Sequence, residues 1–305
     1  MDGLLVLDKP KGPTSHDVVA RMRRVLRERR IGHTGTLDPA ATGILVLVVG
    51  RATRLAQFLS ASDKTYEAVV ALGVRTDSAD ADGEPLEAPY AGPMPSRDAI
   101  ADALASFQGR VLQQPPAFSA KKIDGRRSYA VARAARHGRA EPAAPPAAVP
   151  VTLHAVHLVS VADNMVTLTL DCSAGFYVRA LARDLGDRLG TGGHLAALRR
   201  TRVGAIALDQ AIGLDAAERD PAAALSAVVP LGRALPHLPH VTLSSEGVRK
   251  TVHGREVNLS DASAGGSWPA RDAAHVCLLD ADGELVAIAV PGSAPGLLHP
   301  SVVLR

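Results

Sequence analysis

A glycine-rich loop at residues 31–43, IGHTGTLDPAATG, carries two side chains that can do chemistry, His33 and Asp38. Imidazole and carboxylate groups commonly transfer protons or attack as nucleophiles. The loop's three glycines permit tight turns and close approach to a ligand. The same residues also fit a structural turn, because Asp-Pro often starts a turn and a histidine can cap one. The spacing is not that of a phosphate-binding P-loop.

Two tyrosines beside charged residues are further candidates, in a chain with only 4 Tyr, 4 Phe and 1 Trp. Tyr177 and Arg179 lie in SAGFYVRALARDLG, where a predicted strand gives way to a predicted helix. Tyr66 opens a strand in DKTYEA. Without further context, Tyr177 also fits a half-buried anchor and Arg179 a solvated or paired charge.

Positive charge is concentrated in three segments of a chain that has 34 Lys or Arg against 31 Asp or Glu. Residues 21–30 hold six Arg and one Glu, residues 119–139 seven basic and one acidic residue, and residues 179–202 six Arg and two Asp. Converging segments of this kind would form a surface that attracts phosphates. Each segment alone also fits a solvated helix face.

Composition excludes several classes of protein. With 47% hydrophobic and 21% charged residues, the chain can build a core, and its 305 residues suggest about two domains. Two distant cysteines, Cys172 and Cys277, exclude a disulfide scaffold or a cysteine-rich zinc site and predict buried thiols. The acidic stretch DSADADG imitates an EF-hand, but Pro89 occupies the position of the bidentate glutamate. We therefore expect no metal.

The N-terminal apolar run is short and bounded by Asp2 and Asp8, which favours a first strand over a signal peptide. Since the chain also lacks an apolar run of about 18 residues, we expect a soluble cytoplasmic protein.

Hydrophobic periodicity predicts the elements that must position these residues. Thr14 to Asp17 offer helix caps. The sequence after residue 235 indicates a small β-rich domain, and the Ala/Pro-rich stretch 140–150 a surface excursion or linker. Strands are predicted at 4–7, 44–49, 66–74, 151–161 and 165–173, and helices from about 15, at 51–59, 96–107, 126–137 and 176–189.

Seven motifs together resemble the bacterial tRNA pseudouridine-55 synthases of the TruB type, over residues 3–206. The resemblance implies an α+β pseudouridine synthase fold, a mixed β-sheet core flanked by helices, with a small β-rich PUA-like C-terminal domain. We accordingly expect a catalytic domain at 1–234, with an RNA-gripping insertion at 119–150, and a second domain at 235–305. The motifs are KPKGPTSHDVV, GHTGTLDPAATG, SDKTYEA, RTDSADADGE, PPAFSAKKIDGRRSYAVAR, CSAGFYVRALARDLG and GGHLAALRRTRVG.

The resemblance assigns roles to the reacting groups. Asp38 matches the catalytic aspartate, and Arg179 matches the arginine paired with it, which would favour the ionised carboxylate. His33 matches the histidine that inserts into the T-loop where the target nucleotide leaves the stack. Tyr66 matches the tyrosine that stacks on the flipped base, and it could also move a proton.

Four further residues are expected to bind substrate or to pack near the site. Tyr177 matches an active-site tyrosine, and Leu198 matches a leucine at the substrate pocket. Lys9 and Pro10 match a Lys-Pro pair that packs near the active site.

The implied reaction is isomerisation of uridine to pseudouridine at position 55 in the T-loop of tRNA, by base flipping and attack of an aspartate on the ribose. The reaction needs no redox step or group donor, so no cofactor is expected. The expected partner is tRNA, through its T-loop and T-arm, with no membrane and no obligate protein partner. Two alternatives stay open: a non-catalytic tRNA-binding or folding protein, and the same isomerisation on another RNA.

Overall fold

The computed structural model describes residues 1–116, 118, 122–123, 126–127, 146–263, 268–269 and 273–305. Of the helix predicted at 126–137, Arg126–Arg127 form a short strand instead, and residues 128–137 lie outside the described residues. Most of the stretch 140–150 also lies outside them. The α-helices are α1 Ser15–Val25, α2 Ala56–Ser60, α3 Arg97–Ala105, α4 Val178–Arg188, α5 Leu214–Arg219, α6 Pro221–Ser226 and α7 Ser245–Val252. The strands are β1 Gly3–Lys9, β2 Ile31–His33, β3 Thr42–Val49, β4 Lys64–Leu72, β5 Gly109–Gln113, β6 Lys122–Ile123, β7 Arg126–Arg127, β8 Val149–Ala162, β9 Met165–Cys172, β10 Gly193–Val203, β11 Ile206–Ala207, β12 Ile212–Gly213, β13 Val229–Pro230, β14 His240–Thr242, β15 Val276–Leu279, β16 Leu285–Pro291 and β17 Leu298–Val303.

The described chain divides into two compact units. One unit comprises residues 1–38, 44–60 and 205–305, and we call it the first unit. The second unit comprises residues 39–43 and 61–204. The predicted boundary at residue 234 stays a prediction.

The second unit is built on an antiparallel sheet in the order β10-β4-β9-β8-β5. Strand β9 buries Val166, Leu168, Leu170 and Cys172 while the intervening residues are partly exposed. This is the alternation that the sequence predicts for a strand with one buried face. Ile100 of α3 and Leu185 of α4 share the core formed by this face.

In the first unit, β1 pairs with β12, β13 and β3, and β2 pairs antiparallel with β3. Helix α1 buries Val18, Val19 and Met22, as its apolar spacing predicts. The Thr14 side chain caps this helix in a capping box with Asp17.

The C-terminal part of the first unit is a four-stranded sheet in the order β14-β15-β16-β17. Its core includes Val241, Val276, Leu278 and Ala287. The predicted α+β class with a β-rich C-terminal segment is therefore confirmed.

Two further observations concern helices. The predicted helix at 51–59 is instead a 3-10 helix at Gly50–Leu55 followed by the short α2. The Gly50 backbone has a positive φ of 61°, a conformation outside the α-helical region. No helix in the described ranges is long and apolar enough to cross a membrane.

Candidate active site

The loop that carries Asp38 is fastened to helix α1 immediately before the aspartate. The Ser15 hydroxyl donates a 2.9 Å hydrogen bond to the Leu37 carbonyl and accepts a 2.9 Å bond from the Leu37 N–H. Asp38 itself is half-buried and is followed by a turn. Its carboxylate is thus carried by a short irregular segment that is hydrogen-bonded on its N-terminal side.

Two other residues expected near the site lie at strand ends of the first unit. His33 ends β2, and its ring meets the His16 ring edge to face, with centroids 5.3 Å apart. Lys9 ends β1 and is fully buried, and its Nζ donates a 2.9 Å bond to the Pro10 carbonyl. The Pro10 ring is exposed.

The far end of the same loop joins strand β10 through a close backbone approach. Thr42 and Gly43 pair with Arg199 and Arg200 of β10. Gly43 has a φ of +97°, and a Cβ there would lie 2.2 Å from the Arg200 carbonyl oxygen. Only glycine satisfies both conditions. The Thr42 hydroxyl also donates to the Leu198 carbonyl at 3.4 Å.

Tyr66 lies in the core of the second unit. Its position on β4 pairs with Leu170 of β9 and with Arg200 of β10, and the residue is 7% exposed. Leu198 packs against the same core and is partly buried. Both residues thus lie in the β4–β10 region of the sheet.

Tyr177 marks the start of helix α4 and is held by a side chain from strand β5. Its N–H donates to the Gln113 Oε1 at 2.8 Å, and its carbonyl accepts from the Gln113 Nε2 at 3.0 Å. Gln113 is buried, whereas Tyr177 is half-buried. Tyr177 has no side-chain cap of its own, so the Gln113 amide fixes the extended backbone that precedes the helix.

Arg179 lies in the first turn of α4 and is buried among oxygen acceptors. Its Nη1 lies 3.3 Å from the Asp80 carboxylate and donates to the Ser78 carbonyl at 3.0 Å. Its Nη2 donates to the Phe118 carbonyl at 2.7 Å. A buried guanidinium needs both charge compensation and hydrogen-bond acceptors. These contacts fix the orientation of the guanidinium.

Asp80 and Gln113 are the positioning residues that sequence reasoning missed. Asp80 belongs to the acidic stretch that imitates an EF-hand, and its carboxylate serves the Ser78 hydroxyl, the Asp82 N–H and the Arg179 guanidinium. The available signal for Asp80 was a carboxylate-rich stretch in a chain whose resemblance assigns Arg179 to the active site. Gln113 carried no comparable signal, because an amide beside prolines is common in loops.

Burial shifts the pKa values of three side chains, one of which, Lys64, lies two residues before Tyr66. Burial, and secondarily the charge of Arg200, lowers the pKa of Lys64 from 10.5 to about 8. Burial raises the pKa of the Cys172 thiol to about 12. The pKa of Cys277 is raised to about 11 for the same reason, and both thiols are buried as predicted.

One of the basic segments, 179–202, contributes less exposed charge than the sequence indicates, whereas the segment 21–30 keeps most of its charge exposed. Arg179 and Arg200 are buried within the segment 179–202, so they do not belong to a phosphate-binding surface. In the segment 21–30, five of the six arginines are exposed, although Arg23 donates to the Ile31 carbonyl and the half-buried Arg21 lies 3.6 Å from Glu218. The third segment, 119–139, lies mostly outside the described residues.

The expected site residues fall in both units. Lys9, Pro10, His33 and Asp38 belong to the first unit. Tyr66, Tyr177, Arg179 and Leu198 belong to the second unit. The expected pairing of Asp38 with Arg179 stays a prediction, as do the roles that the resemblance implies for all eight.

Comparison with known proteins gives a likeness over the whole chain. The family model for the N-terminal domain of TruB family pseudouridylate synthases matches residues 23–178. The model for the tRNA pseudouridylate synthase B C-terminal domain matches residues 179–229. A protein from Solibacter usitatus named tRNA pseudouridine synthase B is 42% identical over 310 residues, covering 100% of both chains. One of the same name from Burkholderia mallei is 40% identical over 316 residues, covering 98% of this chain and 96% of its own.

Solved structures confirm the expected fold. A chain in a Cbf5-Nop10-Gar1 complex matches with a TM-score of 0.73 and 25% identity, covering 99% of this chain and 85% of that one. A chain in an H/ACA RNP bound to a substrate RNA containing 2'-deoxyuridine matches with a TM-score of 0.74, 24% identity and the same coverage.

Proposed function

This chain belongs to the TruB family of pseudouridylate synthases, and from that premise we propose that it isomerises uridine to pseudouridine at position 55 in the T-loop of tRNA. The full-length likeness to tRNA pseudouridine synthase B carries this proposal. The hydrogen-bonded Asp38 loop and the oriented Arg179 guanidinium support it, because a nucleophile and its charged neighbours must be held in place before they react.

The reaction rearranges bonds within one nucleotide. The N1–C1′ bond of uridine breaks, the C5–C1′ bond forms, the C5 proton is released, and N1 takes up a proton. Asp38 attacks the ribose as a carboxylate and leaves again, so covalent catalysis divides one difficult exchange into two easier ones. Atoms and electrons balance without an oxidant or a second substrate.

Access to the ribose requires that the base leave its stack. Extrusion costs a few kcal/mol, and stacking of the flipped uracil on Tyr66 returns about 1–3 kcal/mol. In this proposal His33 fills the vacated space in the T-loop, and Tyr177 and Leu198 line the pocket that receives the base. Lys9 and Pro10 support the adjacent backbone.

The test asks which uridine is modified and whether its modification depends on Asp38. RNA from a strain lacking the gene is mapped for pseudouridine, with and without complementation by the wild-type protein or by Asp38→Asn. We expect loss of pseudouridine at position 55 of tRNA, restored by the wild type alone.

Each rival has its own outcome. Restoration of pseudouridine by Asp38→Asn would contradict the assignment of Asp38 as the nucleophile. Unchanged pseudouridine in the strain lacking the gene would favour a non-catalytic tRNA-binding protein. Loss at a uridine of another RNA alone would assign a different substrate.

A further inference from the structure

The Ser15 hydroxyl holds both backbone polar groups of the residue that precedes Asp38. It accepts from the Leu37 N–H and donates to the Leu37 carbonyl, each at 2.9 Å, across 22 residues of sequence. Ser15 is 1% exposed and Leu37 is 3% exposed, so water does not substitute for either bond. The Leu37 carbonyl belongs to the peptide unit that also contains the Asp38 nitrogen. These bonds therefore fix the peptide plane from which Asp38 departs.

The neighbouring hydroxyl, that of Thr14, caps helix α1 and forms its hydrogen bonds with Asp17 rather than with Leu37. Thr14 Oγ1 accepts from the Asp17 N–H at 3.0 Å and donates to the Asp17 carboxylate at 2.7 Å. Thr14 and Asp17 thus complete the N-terminal cap of α1 without the Ser15 side chain. Since the cap does not require Ser15, the Ser15 side chain serves the Asp38 loop.

Helix α1 gives Ser15 a rigid base. Val18, Val19 and Met22 of this helix are buried, so the position of the Ser15 Oγ is set by core packing rather than by the loop. A reacting group is best held by residues whose own positions are locked in this way.

We propose that Ser15 is a positioning residue for Asp38, one that sets the direction in which the carboxylate leaves the loop. This inference rests on the proposed function, in which Asp38 attacks the ribose. Nucleophilic attack demands a near-attack geometry, and a displacement of about 1 Å costs about 100-fold in rate. Without the Ser15 hydroxyl, the Leu37 N–H and carbonyl lose their partner, and the Asp38 carboxylate is no longer held in one orientation.

The experiment measures release of tritium from tRNA labelled at C5 of uridine, because formation of the C5–C1′ bond expels that atom. Single-turnover rate constants at saturating enzyme, tRNA dissociation constants and melting temperatures are compared for the wild type, Ser15→Ala, Ser15→Cys and Thr14→Ala. We expect Ser15→Ala to lower the rate constant about 10- to 100-fold. Its tRNA affinity should stay within about twofold of the wild type, because the proposed role of Ser15 affects the chemical step and not tRNA binding.

The two further variants separate positioning from stability. Thr14→Ala lowers the melting temperature through loss of the cap, yet its rate constant should stay within about twofold of the wild type, since Leu37 keeps both bonds. Ser15→Cys slightly enlarges the side chain and replaces the hydroxyl by a weaker donor and acceptor. Its rate constant should lie between those of the wild type and Ser15→Ala. If Ser15→Ala does not fold, the comparison of Ser15→Cys with the wild type tests the positioning role.

The outcomes distinguish the two proposals. An active wild type, an inactive Asp38→Asn and a Ser15→Ala rate no lower than that of Thr14→Ala would overturn the positioning role alone. A Ser15→Cys rate equal to the wild type would also overturn it. A wild type that releases no tritium from tRNA would overturn the proposed function, and the role of Ser15 with it.

Discussion

The carboxylate of Asp80 lies 3.3 Å from the guanidinium of Arg179, and both side chains are largely buried. Asp80 belongs to the loop after strand β4, and Arg179 belongs to the first turn of helix α4. The pair fixes an arginine that the family resemblance assigns to the active site. Asp80 lies in a segment that shows no helical or strand periodicity.

Asp80→Asn is expected to weaken this fixation while keeping the size of the side chain. Loss of the charge partner of a buried arginine lowers the free energy of unfolding by about 1–3 kcal/mol. We also expect single-turnover tritium release to slow by about tenfold or more, because Arg179 would adopt other orientations. Urea unfolding and the tritium assay check the two effects. The control is Asp82→Asn on the same loop, where the side chain is exposed; equal losses in both variants would contradict a specific role for Asp80.

Gln113→Met is expected to release the backbone of Tyr177. Methionine has nearly the same length but replaces neither the 2.8 Å nor the 3.0 Å hydrogen bond. The free energy of unfolding should fall by about 1–3 kcal/mol, and the single-turnover rate constant should fall with it because Arg179 follows two residues later. Gln114→Met, at the exposed neighbouring position, should behave as the wild type. A Gln113→Met enzyme with the wild-type rate constant would show that the start of α4 keeps its conformation without the Gln113 hydrogen bonds.

Gly43→Ala is expected to separate the Asp38 loop from strand β10. The added Cβ would lie 2.2 Å from the Arg200 carbonyl oxygen, in a backbone conformation with φ +97°. The backbone conformation alone costs about 1–2 kcal/mol, and the overlap adds to it. Gly190→Ala is the matched control, since φ there is +71° and nothing lies within 4 Å of a Cβ. Urea unfolding should show a clearly larger loss for Gly43→Ala; similar losses would mean that the close approach does not matter.

Lys64 is expected to make stability depend on pH. Burial lowers its pKa from 10.5 to about 8 in the folded protein. Between pH 8 and 10.5 the unfolded chain therefore binds more protons at this site, and the free energy of unfolding rises with pH there. Below about pH 8 the penalty of burying the charged amine is fully present. Urea unfolding of the wild type and of Lys64→Met at pH 7 and pH 10 checks this: the stability of the wild type relative to the variant should increase, and a constant difference would refute the shift.

Local sequence predicted the elements whose pattern repeats along the chain. The alternation of Val166, Leu168 and Leu170 indicated strand β9, and the apolar spacing after the Thr14 cap indicated helix α1. These predictions succeed because strand and helix place every second, or every third and fourth, residue on one face. The motif around Asp38 likewise identified the family, since its residue types and spacing are read directly from the chain.

Only the tertiary structure decided which residues hold that chemistry in place. Ser15 meets Leu37 across 22 residues, Gln113 meets Tyr177 across 64, and the partners of Arg179 come from the loops that contain Ser78 and Phe118. Such contacts join a side chain to backbone groups of an irregular segment. Every residue has the same backbone groups, so sequence carries no mark of which N–H or carbonyl a distant side chain will meet, and the packing of whole elements makes that choice.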